Sequence, residues 1–237
     1  MGHGGMGIAS LYPMNSLESL KKCFATGADG TELDVQMTKD SVLVAFHDEY
    51  LDKSTNGEGQ IFTKTWDELK ALSYSSPPFM NYALINLDEL FLSLDNPSQY
   101  TFFLDCKLFN PDNSTAYLQR FSNALSKLMD THQLKQVYIE LRRPDMMAYL
   151  KNQRPDWSIF SVNDFEAAYA LVKKYKLNGI SIAIDKITKA QIEQAHAEGI
   201  LISVYRTRSR SSTIEAIEKN VDFIQSDKLK YLLRVLD

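Results

Sequence analysis

Cysteine is scarce in this chain, and long uncharged apolar runs and an excess of positive charge are missing. The two cysteines, Cys23 and Cys106, are too few for a disulfide framework and belong to no zinc-type cluster. No stretch approaches the roughly 18 to 20 uncharged apolar residues that a membrane-spanning helix needs. With 26 Lys and Arg against 30 Asp and Glu, the net charge is −4, which argues against nucleic acid as the main partner.

What the chain does have is the composition of one large globular domain, residues 1–237, with 44% apolar residues. Short β-branched or aromatic runs alternate with longer amphipathic stretches, a pattern typical of repeated strand-helix units and a parallel sheet. Seven strands are predicted, over residues 29–36, 101–107, 137–141, 157–162, 178–184, 200–205 and 221–226. Helices are predicted over residues 16–26, 114–131, 145–151, 165–176, 188–197 and 213–219. This spacing predicts a closed α/β barrel of eight strand-helix units.

The eighth strand should be the first, because Met1 to Gly5 leads almost directly into a loop and a helix. A barrel needs its first strand to close the hydrogen-bond ring, so we expect that strand to be truncated and the natural N-terminus to lie upstream. A signal or lipid anchor would then lie upstream too, which favours an exported protein, periplasmic or lipid-anchored, over a cytoplasmic one. One long interruption, residues 38–94, is predicted to be an insertion after the second strand, and such loops usually carry function.

Two carboxylates mark the second strand, where alternation puts Glu32 and Asp34 on one face. They are tolerable if a cation lies between them or if both face solvent, and this motif alone leaves both readings open. A returning segment ends at His47, and a two- or four-residue turn would pair it with Glu32, whereas an odd loop would not. We predict a loop with an even number of residues, which would place the imidazole of His47 next to the carboxylates of Glu32 and Asp34.

A similar spacing occurs in Asp105 and Lys107, which share a face at the end of a later strand. The carboxyl ends of barrel strands are where active sites lie, although two such residues can also simply pair with each other. A third carboxylate beside Glu32 and Asp34 would give the hard oxygen ligation that suits Mg²⁺ or Ca²⁺. His3, among glycines, lies where the first strand would end, unless it is merely a flexible terminal residue.

Other candidates are assigned to the surface. His132 and His196 lie in or beside helical patterns, and Arg206, Arg208 and Arg210 are interpreted as a solvated basic turn. The alternative is that Arg206 and Arg208 lend charge to the site from another loop.

Several motifs together resemble a known enzyme family. They are His3-Gly4-Gly5, Pro13-Met14-Asn15-Ser16, residues 27–40, Phe46-His47-Asp48, residues 51–57, residues 86–90, Asp105-Cys106-Lys107 and residues 220–227. In this combination they resemble the glycerophosphodiester phosphodiesterase family of the phospholipase C-like phosphodiesterase superfamily, over essentially the whole chain. The resemblance implies a triosephosphate-isomerase-type (β/α)8 barrel with a small insertion after the second strand.

The same resemblance implies the roles of the site residues. His3 and His47 would be the general acid and base, and Glu32, Asp34 and Asp105 would hold one divalent cation, Ca²⁺ or Mg²⁺. Lys107 would face the phosphate. The implied reaction is hydrolysis of a small-molecule glycerophosphodiester to glycerol 3-phosphate and an alcohol, through attack by the neighbouring glycerol hydroxyl and a cyclic phosphate that water opens.

Three positions depart from the family pattern. Gly4 stands where the family usually has arginine, Met14 where it has glutamate, and Asp105 where it has a longer glutamate. Losing the arginine removes a bidentate phosphate contact. Because an acid is lost with it, we expect positions 4 and 14 to be partners that were exchanged together.

Two alternative functions stay open. One is a phospholipase D of the spider-venom sphingomyelinase type, which shares the Met-Gly-His start and an Asp-x-Lys motif, although this chain lacks a disulfide pattern. The other is a non-catalytic barrel that binds an anionic ligand, a reading that the missing arginine supports. The sequence leaves the alcohol moiety of the substrate and the oligomeric state undetermined.

Overall fold

A parallel sheet rolled into a ring forms the centre of the computed structural model, which describes residues 1–8 and 10–236. In those ranges the strands are β1 Gly2–His3, β2 Gly30–Met37, β3 Leu43–Ala45, β4 Thr101–Cys106, β5 Gln136–Leu141, β6 Ser158–Val162, β7 Gly179–Ala183, β8 Leu201–Thr207 and β9 Phe223–Ser226. All of them except β3 run parallel to their neighbours, in the order β1-β9-β8-β7-β6-β5-β4-β2.

The ring closes through β1, which is only two residues long. Gly2 pairs with Thr31 of β2 on one side and with Ser226 of β9 on the other. These pairings satisfy backbone groups that would otherwise be left open at two sheet edges. The prediction of a (β/α)8 barrel is therefore confirmed, and the strand expected to be truncated contributes two residues to it.

Helices cover the outside of the barrel or lie in the insertion after β2. They are α1 Leu17–Ala25, α2 Trp66–Leu69, α3 Leu87–Leu92, α4 Thr115–Thr131, α5 Pro144–Gln153, α6 Phe165–Tyr175, α7 Lys189–His196, α8 Arg210–Glu218 and α9 Leu229–Leu236. Several begin at a side chain that accepts a hydrogen bond from the first turn, as Ser16 does from the Ser19 amide and Ser114 from the Tyr117 amide. None of the described helices is both long and apolar enough to cross a membrane.

Aromatic side chains fill the amino-terminal half of the barrel interior. Phe103, Tyr138, Phe160 and Phe223 pack with ring centroids 4.7 to 6.2 Å apart. Because each parallel strand alternates inward and outward positions, the inward residues that follow these rings collect at the opposite, carboxyl end. This plug therefore confines the polar side chains of the interior to one mouth, where barrels of this type carry their sites.

The insertion after β2 contains β3, α2 and α3 and has its own small core. Val44, Phe46, Leu51, Ile61 and Leu69 are buried together there. This core fixes the segment that leads to His47 against the mouth of the barrel.

The predicted register of the β2 to β3 hairpin was wrong. Val35 pairs with Ala45 and Met37 with Leu43, so the loop between the strands has five residues and not two or four. Ser41 adopts a left-handed conformation (φ 67°), and the Val42 amide donates to the Thr38 Oγ1 at 2.9 Å, which closes this odd loop. The edge of β2 that His47 was expected to occupy is taken by β1, so His3 and not His47 pairs with Glu32.

Candidate active site

Three buried carboxylates meet at the mouth of the barrel. Glu32 and Asp34 come from β2 and Asp105 from β4, and one oxygen of each lies within 4.8 Å of the others. Asp34 and Asp105 are direct neighbours across the parallel strands, and Lys107 sits between them, with its Nζ 3.0 Å from Asp34 Oδ1 and 2.6 Å from Asp105 Oδ2.

The electrostatics of this triad are unequal. Burial would raise the pKa of Asp34, but Lys107, His47 and a hydrogen bond from Asn15 outweigh it and lower that pKa to about 2. Burial raises the pKa of Glu32 well above its usual range, and the charges of Asp34 and Asp105 add to that effect. Lys107 therefore offsets the negative charge of the two aspartates but not that of Glu32. The three carboxylates together fit a divalent cation, which prefers hard oxygen ligands.

The loop between β1 and α1 holds the two β2 carboxylates in place. Asn15 donates its side-chain amide to Asp34 Oδ2 at 2.7 Å and accepts from the Asp34 backbone amide at 3.0 Å. The Gly4 amide donates to Glu32 Oε2 at 3.0 Å. The sequence motif around Asn15 did not indicate this role, because its partner Asp34 lies on a strand 19 residues further along the chain.

His3 is oriented by an acid from the far end of the chain. Its Nδ1 lies 2.8 Å from Oδ1 of Asp227, just after β9, and its Nε2 lies 3.7 Å from Glu32 Oε2. Asp227 is fully buried; burial would raise its pKa, but the hydrogen bond and charge of His3 lower it. An ionised acid on Nδ1 fixes the tautomer that leaves Nε2 free to take a proton at the triad.

His47 lies in the insertion, two residues after the end of β3, and it reaches the mouth of the barrel from there. Its Nδ1 lies 3.2 Å from Asp48 Oδ1, and Asp48 Oδ2 accepts from the Ser54 hydroxyl at 2.9 Å. The hydrogen bond to Asp48 raises the pKa of His47, and the charge of Asp34 also favours the imidazolium. His47, with a side chain 61% exposed, is thus a solvent-accessible imidazole beside the triad, and both neighbouring acids favour its protonated form.

Positions 4 and 14, where the chain departs from the family pattern, touch each other. Gly4 has φ +54°, and a Cβ added there would lie 2.7 Å from Met14 Cβ and 2.8 Å from Met14 Cε. The expectation that these positions are partners agrees with this contact.

An apolar groove of about 230 Å³ opens beside His47. It lies between the β1 to α1 loop and the insertion, and its lining includes Tyr12, Met14, Phe46 and Phe79. This volume is below the roughly 300 to 1,000 Å³ of most small-molecule pockets, so the groove can hold one substituent of a larger ligand.

Arg142 and Glu140 were not singled out from the sequence, although both face the barrel interior. Arg142 Nη1 donates to Asp105 Oδ1 at 2.6 Å. Glu140 accepts from Ser181 and, at 2.6 Å, from Gln225, and burial together with the charge of Asp105 raises its pKa to about 7. The alternation that revealed Glu32 and Asp34 also connects positions 138, 140 and 142, and this signal could have found them.

The residues assigned to the surface need two corrections. His132 is buried, with Nε2 2.8 Å from Asp88 Oδ1, because it packs under α3. Arg208 is not only solvated, since its Nε lies 3.4 Å from Asp227 Oδ2. His196 is partly exposed and pairs with Asp222.

Comparison with protein families gives a match over nearly the whole chain. Residues 6–230 match the model of the glycerophosphoryl diester phosphodiesterase family. A glycerophosphodiester phosphodiesterase of Caldanaerobacter subterraneus subsp. tengcongensis is 50% identical over 66 residues, which are 28% of this chain and 27% of that protein. The chain is thus matched to this curated relative over about a quarter of the relative's length.

Solved structures share the fold over the full length. A phosphodiesterase of Oleispira antarctica, solved in complex with the product sn-glycerol-3-phosphate, superposes with a TM-score of 0.85 at 19% identity, over 100% of this chain and 95% of that one. A glycerophosphodiester phosphodiesterase of Parabacteroides distasonis superposes with a TM-score of 0.84 at 20% identity, over 99% and 94% of the two chains. At these identities the likeness concerns the fold.

Proposed function

The chain belongs to the glycerophosphoryl diester phosphodiesterase family, and on that premise we propose that it hydrolyses glycerophosphodiesters to glycerol 3-phosphate and an alcohol with one divalent cation. The observation that carries the proposal is an oriented base beside a buried carboxylate triad. His3 is held by Asp227 at 2.8 Å with its other nitrogen toward Glu32. A proton acceptor next to a cation site is what attack on a phosphodiester needs.

Glu32, Asp34 and Asp105 are the residues that would hold the cation, Ca²⁺ or Mg²⁺. When bound, it offsets the charge that builds up on the phosphoryl oxygens during the displacement. Lys107, whose Nζ already lies among the acids, supplies a second positive charge to the same oxygens.

The two histidines divide the proton transfers. His3 takes the proton of the glycerol 2-hydroxyl as its oxygen attacks phosphorus, and His47, whose pKa is raised by Asp48, gives a proton to the departing alcohol oxygen as its bond to phosphorus breaks. This step leaves a cyclic glycerol phosphate. In the second step His47 takes a proton from the attacking water and His3 returns one to the glycerol oxygen, so both histidines end as they began.

The apolar groove beside His47 is the place we assign to one substituent of the diester. Because His47 is the proposed proton donor to the departing alcohol oxygen, this substituent is that of the alcohol. Aromatic walls pack against apolar groups and also attract a quaternary ammonium such as that of choline.

The test is a substrate panel with and without a chelator. Glycerophosphocholine, glycerophosphoethanolamine and glycerophosphoglycerol, with sphingomyelin as the comparison, are incubated with the protein, and glycerol 3-phosphate and ceramide phosphate are measured. We expect release that a chelator abolishes and Ca²⁺ or Mg²⁺ restores. Release of ceramide phosphate from sphingomyelin in preference would favour the phospholipase D alternative, and no turnover of any substrate would favour the ligand-binding barrel.

Single histidine variants test the assigned roles. His3→Ala and His47→Ala should each lower kcat by roughly 10² to 10⁴, the usual effect of removing a positioned acid or base. Calorimetric affinity for the cation should stay nearly unchanged. His196→Ala is the matched control, because that histidine pairs with Asp222 and not with the triad. A variant that lost its cation yet turned over normally at saturating metal would contradict the assignment.

A further inference from the structure

Arg142 follows β5 directly, on the inward face that also carries Tyr138 and Glu140. Its guanidinium reaches Asp105 Oδ1 at 2.6 Å. We infer that Arg142 is a second substrate-phosphate ligand, supplied from β5 because the β1 to α1 loop has glycine at position 4. This inference rests on the proposed function, since it concerns the anion bound at the same mouth.

The contact with Asp105 leaves much of the guanidinium available. Arginine has five N–H donors, and among the described residues the side chain of Arg142 makes this one hydrogen bond. Its side chain is 46% exposed, whereas that of Asp105 is 8% exposed. The other oxygen of Asp105 is already held by Lys107, so Arg142 is not needed to neutralise Asp105 alone.

A charge count points the same way. Glu32, Asp34 and Asp105, when ionised, bring three negative charges, and Lys107 and Arg142 bring two positive ones. One divalent cation then makes the cluster net +1, which suits a phosphodiester monoanion. Without Arg142 the loaded cluster would be neutral and would attract the substrate less.

Other candidates for this role have different partners. Position 4 is packed against Met14, and Arg208 approaches the buried Asp227. Arg143, the chain neighbour of Arg142, points elsewhere and contacts Asp145 and the Asn110 carbonyl. Arg142 is therefore the arginine that the barrel's alternation directs to the triad, and Arg143 is its natural control.

The experiment measures anion binding separately from turnover. Wild type and the variants Arg142→Gln, Arg142→Lys and Arg143→Gln are titrated calorimetrically with Mg²⁺ or Ca²⁺, and at saturating metal with glycerol 3-phosphate and inorganic phosphate. Arg142→Gln should weaken the binding of both anions about 10- to 100-fold, the range for a charged hydrogen-bond donor. Arg142→Lys should be intermediate, because lysine keeps the charge but not the planar fork. Arg143→Gln should stay within about twofold of wild type.

Two results would contradict the assignment of Arg142 as a phosphate ligand. If Arg142 only positions Asp105, Arg142→Gln would weaken the metal and leave anion affinity at saturating metal unchanged, and the inference would be wrong. It would also be wrong if metal-loaded wild type bound neither anion. A third outcome separates the two proposals. If the wild type binds glycerol 3-phosphate more tightly than Arg142→Gln does but hydrolyses no diester, the proposed function is wrong and the phosphate site is confirmed. If Arg142→Gln does not fold, as judged by thermal denaturation, Arg142→Lys decides.

Discussion

Adding one methyl group at Gly4 tests how tightly the β1 to α1 loop is packed. Gly4 has φ +54°, in the left-handed region, which costs a residue with a Cβ about 1 to 2 kcal/mol. The new Cβ would also lie 2.7 Å from Met14 Cβ, and such overpacking costs about 1 to 3 kcal/mol. Gly4→Ala should therefore lower the free energy of unfolding by about 2 to 5 kcal/mol.

The assay is thermal denaturation followed by circular dichroism, with Gly199→Ala as the matched control. Gly199 has φ +71°, but an added Cβ meets nothing within 4 Å, so that variant shows the backbone cost alone. For a chain of this size we expect Tm to fall by roughly 4 to 20 °C in Gly4→Ala and by less, roughly 2 to 8 °C, in Gly199→Ala. Equal losses in the two variants would refute the idea that Met14 restricts position 4.

Restoring the family arginine extends this test. Gly4→Arg should weaken activity and lose further stability, since a guanidinium buried beside Met14 has no carboxylate and carries a cost of several kcal/mol. Adding Met14→Glu should recover that charge-related part, but not the Cβ overlap, because glutamate has the same Cβ. A double-mutant cycle measures the coupling. If Gly4→Arg alone raised hydrolysis tenfold or more without destabilising the protein, glycine at position 4 would reflect the decay of an ancestral activity and not the adaptation of the pocket to another substrate.

Three further predictions concern the site. Asp227→Asn should lower kcat by roughly 10² to 10⁴ with the anion affinity retained, because His3 loses the acid that fixes its tautomer; unchanged kcat would contradict the base assignment. Asp48→Asn should lower the pKa of His47 and so move the alkaline limb of the pH-rate profile to lower pH, and an unmoved limb would exclude His47 as the acid. Glu32→Gln should abolish cation binding in calorimetry yet make the metal-free protein more stable at neutral pH. The sign follows from the raised pKa of Glu32: a carboxyl that ionises above its unfolded value costs stability as pH rises through the two pKa values, so the difference should vanish in acid.

The barrel could be predicted because most of its strands depend on local alternation. The seven strands predicted from the sequence each show their pattern over five to eight residues, and the same period puts Glu32 with Asp34 and Asp105 with Lys107. That these acids form one triad was implied by the family resemblance and not by the alternation. The register of the β2 to β3 hairpin could not be predicted, because it depends on a five-residue loop that Ser41 closes at positive φ.

Residues that act across the closed ring were missed for another reason. Asp227 and His3 are 224 positions apart in sequence, and no local pattern links an acid after the last strand to a histidine at the first. Arg142 was missed although alternation contains it, because the double arginine at positions 142 and 143 reads as solvated charge until the inward series from Tyr138 is followed.

The closure of the ring through β1 also decides when this site can exist. A growing chain emerges amino terminus first, at about 5 to 20 residues per second. The 224 positions between His3 and Asp227 therefore correspond to a delay of roughly 11 to 45 s before the acid that orients the base has even been made. During that interval β1 lacks its β9 neighbour as well, so the nascent chain carries the triad residues without the oriented histidine. The proposed chemistry begins only once synthesis has passed the last strand of the barrel.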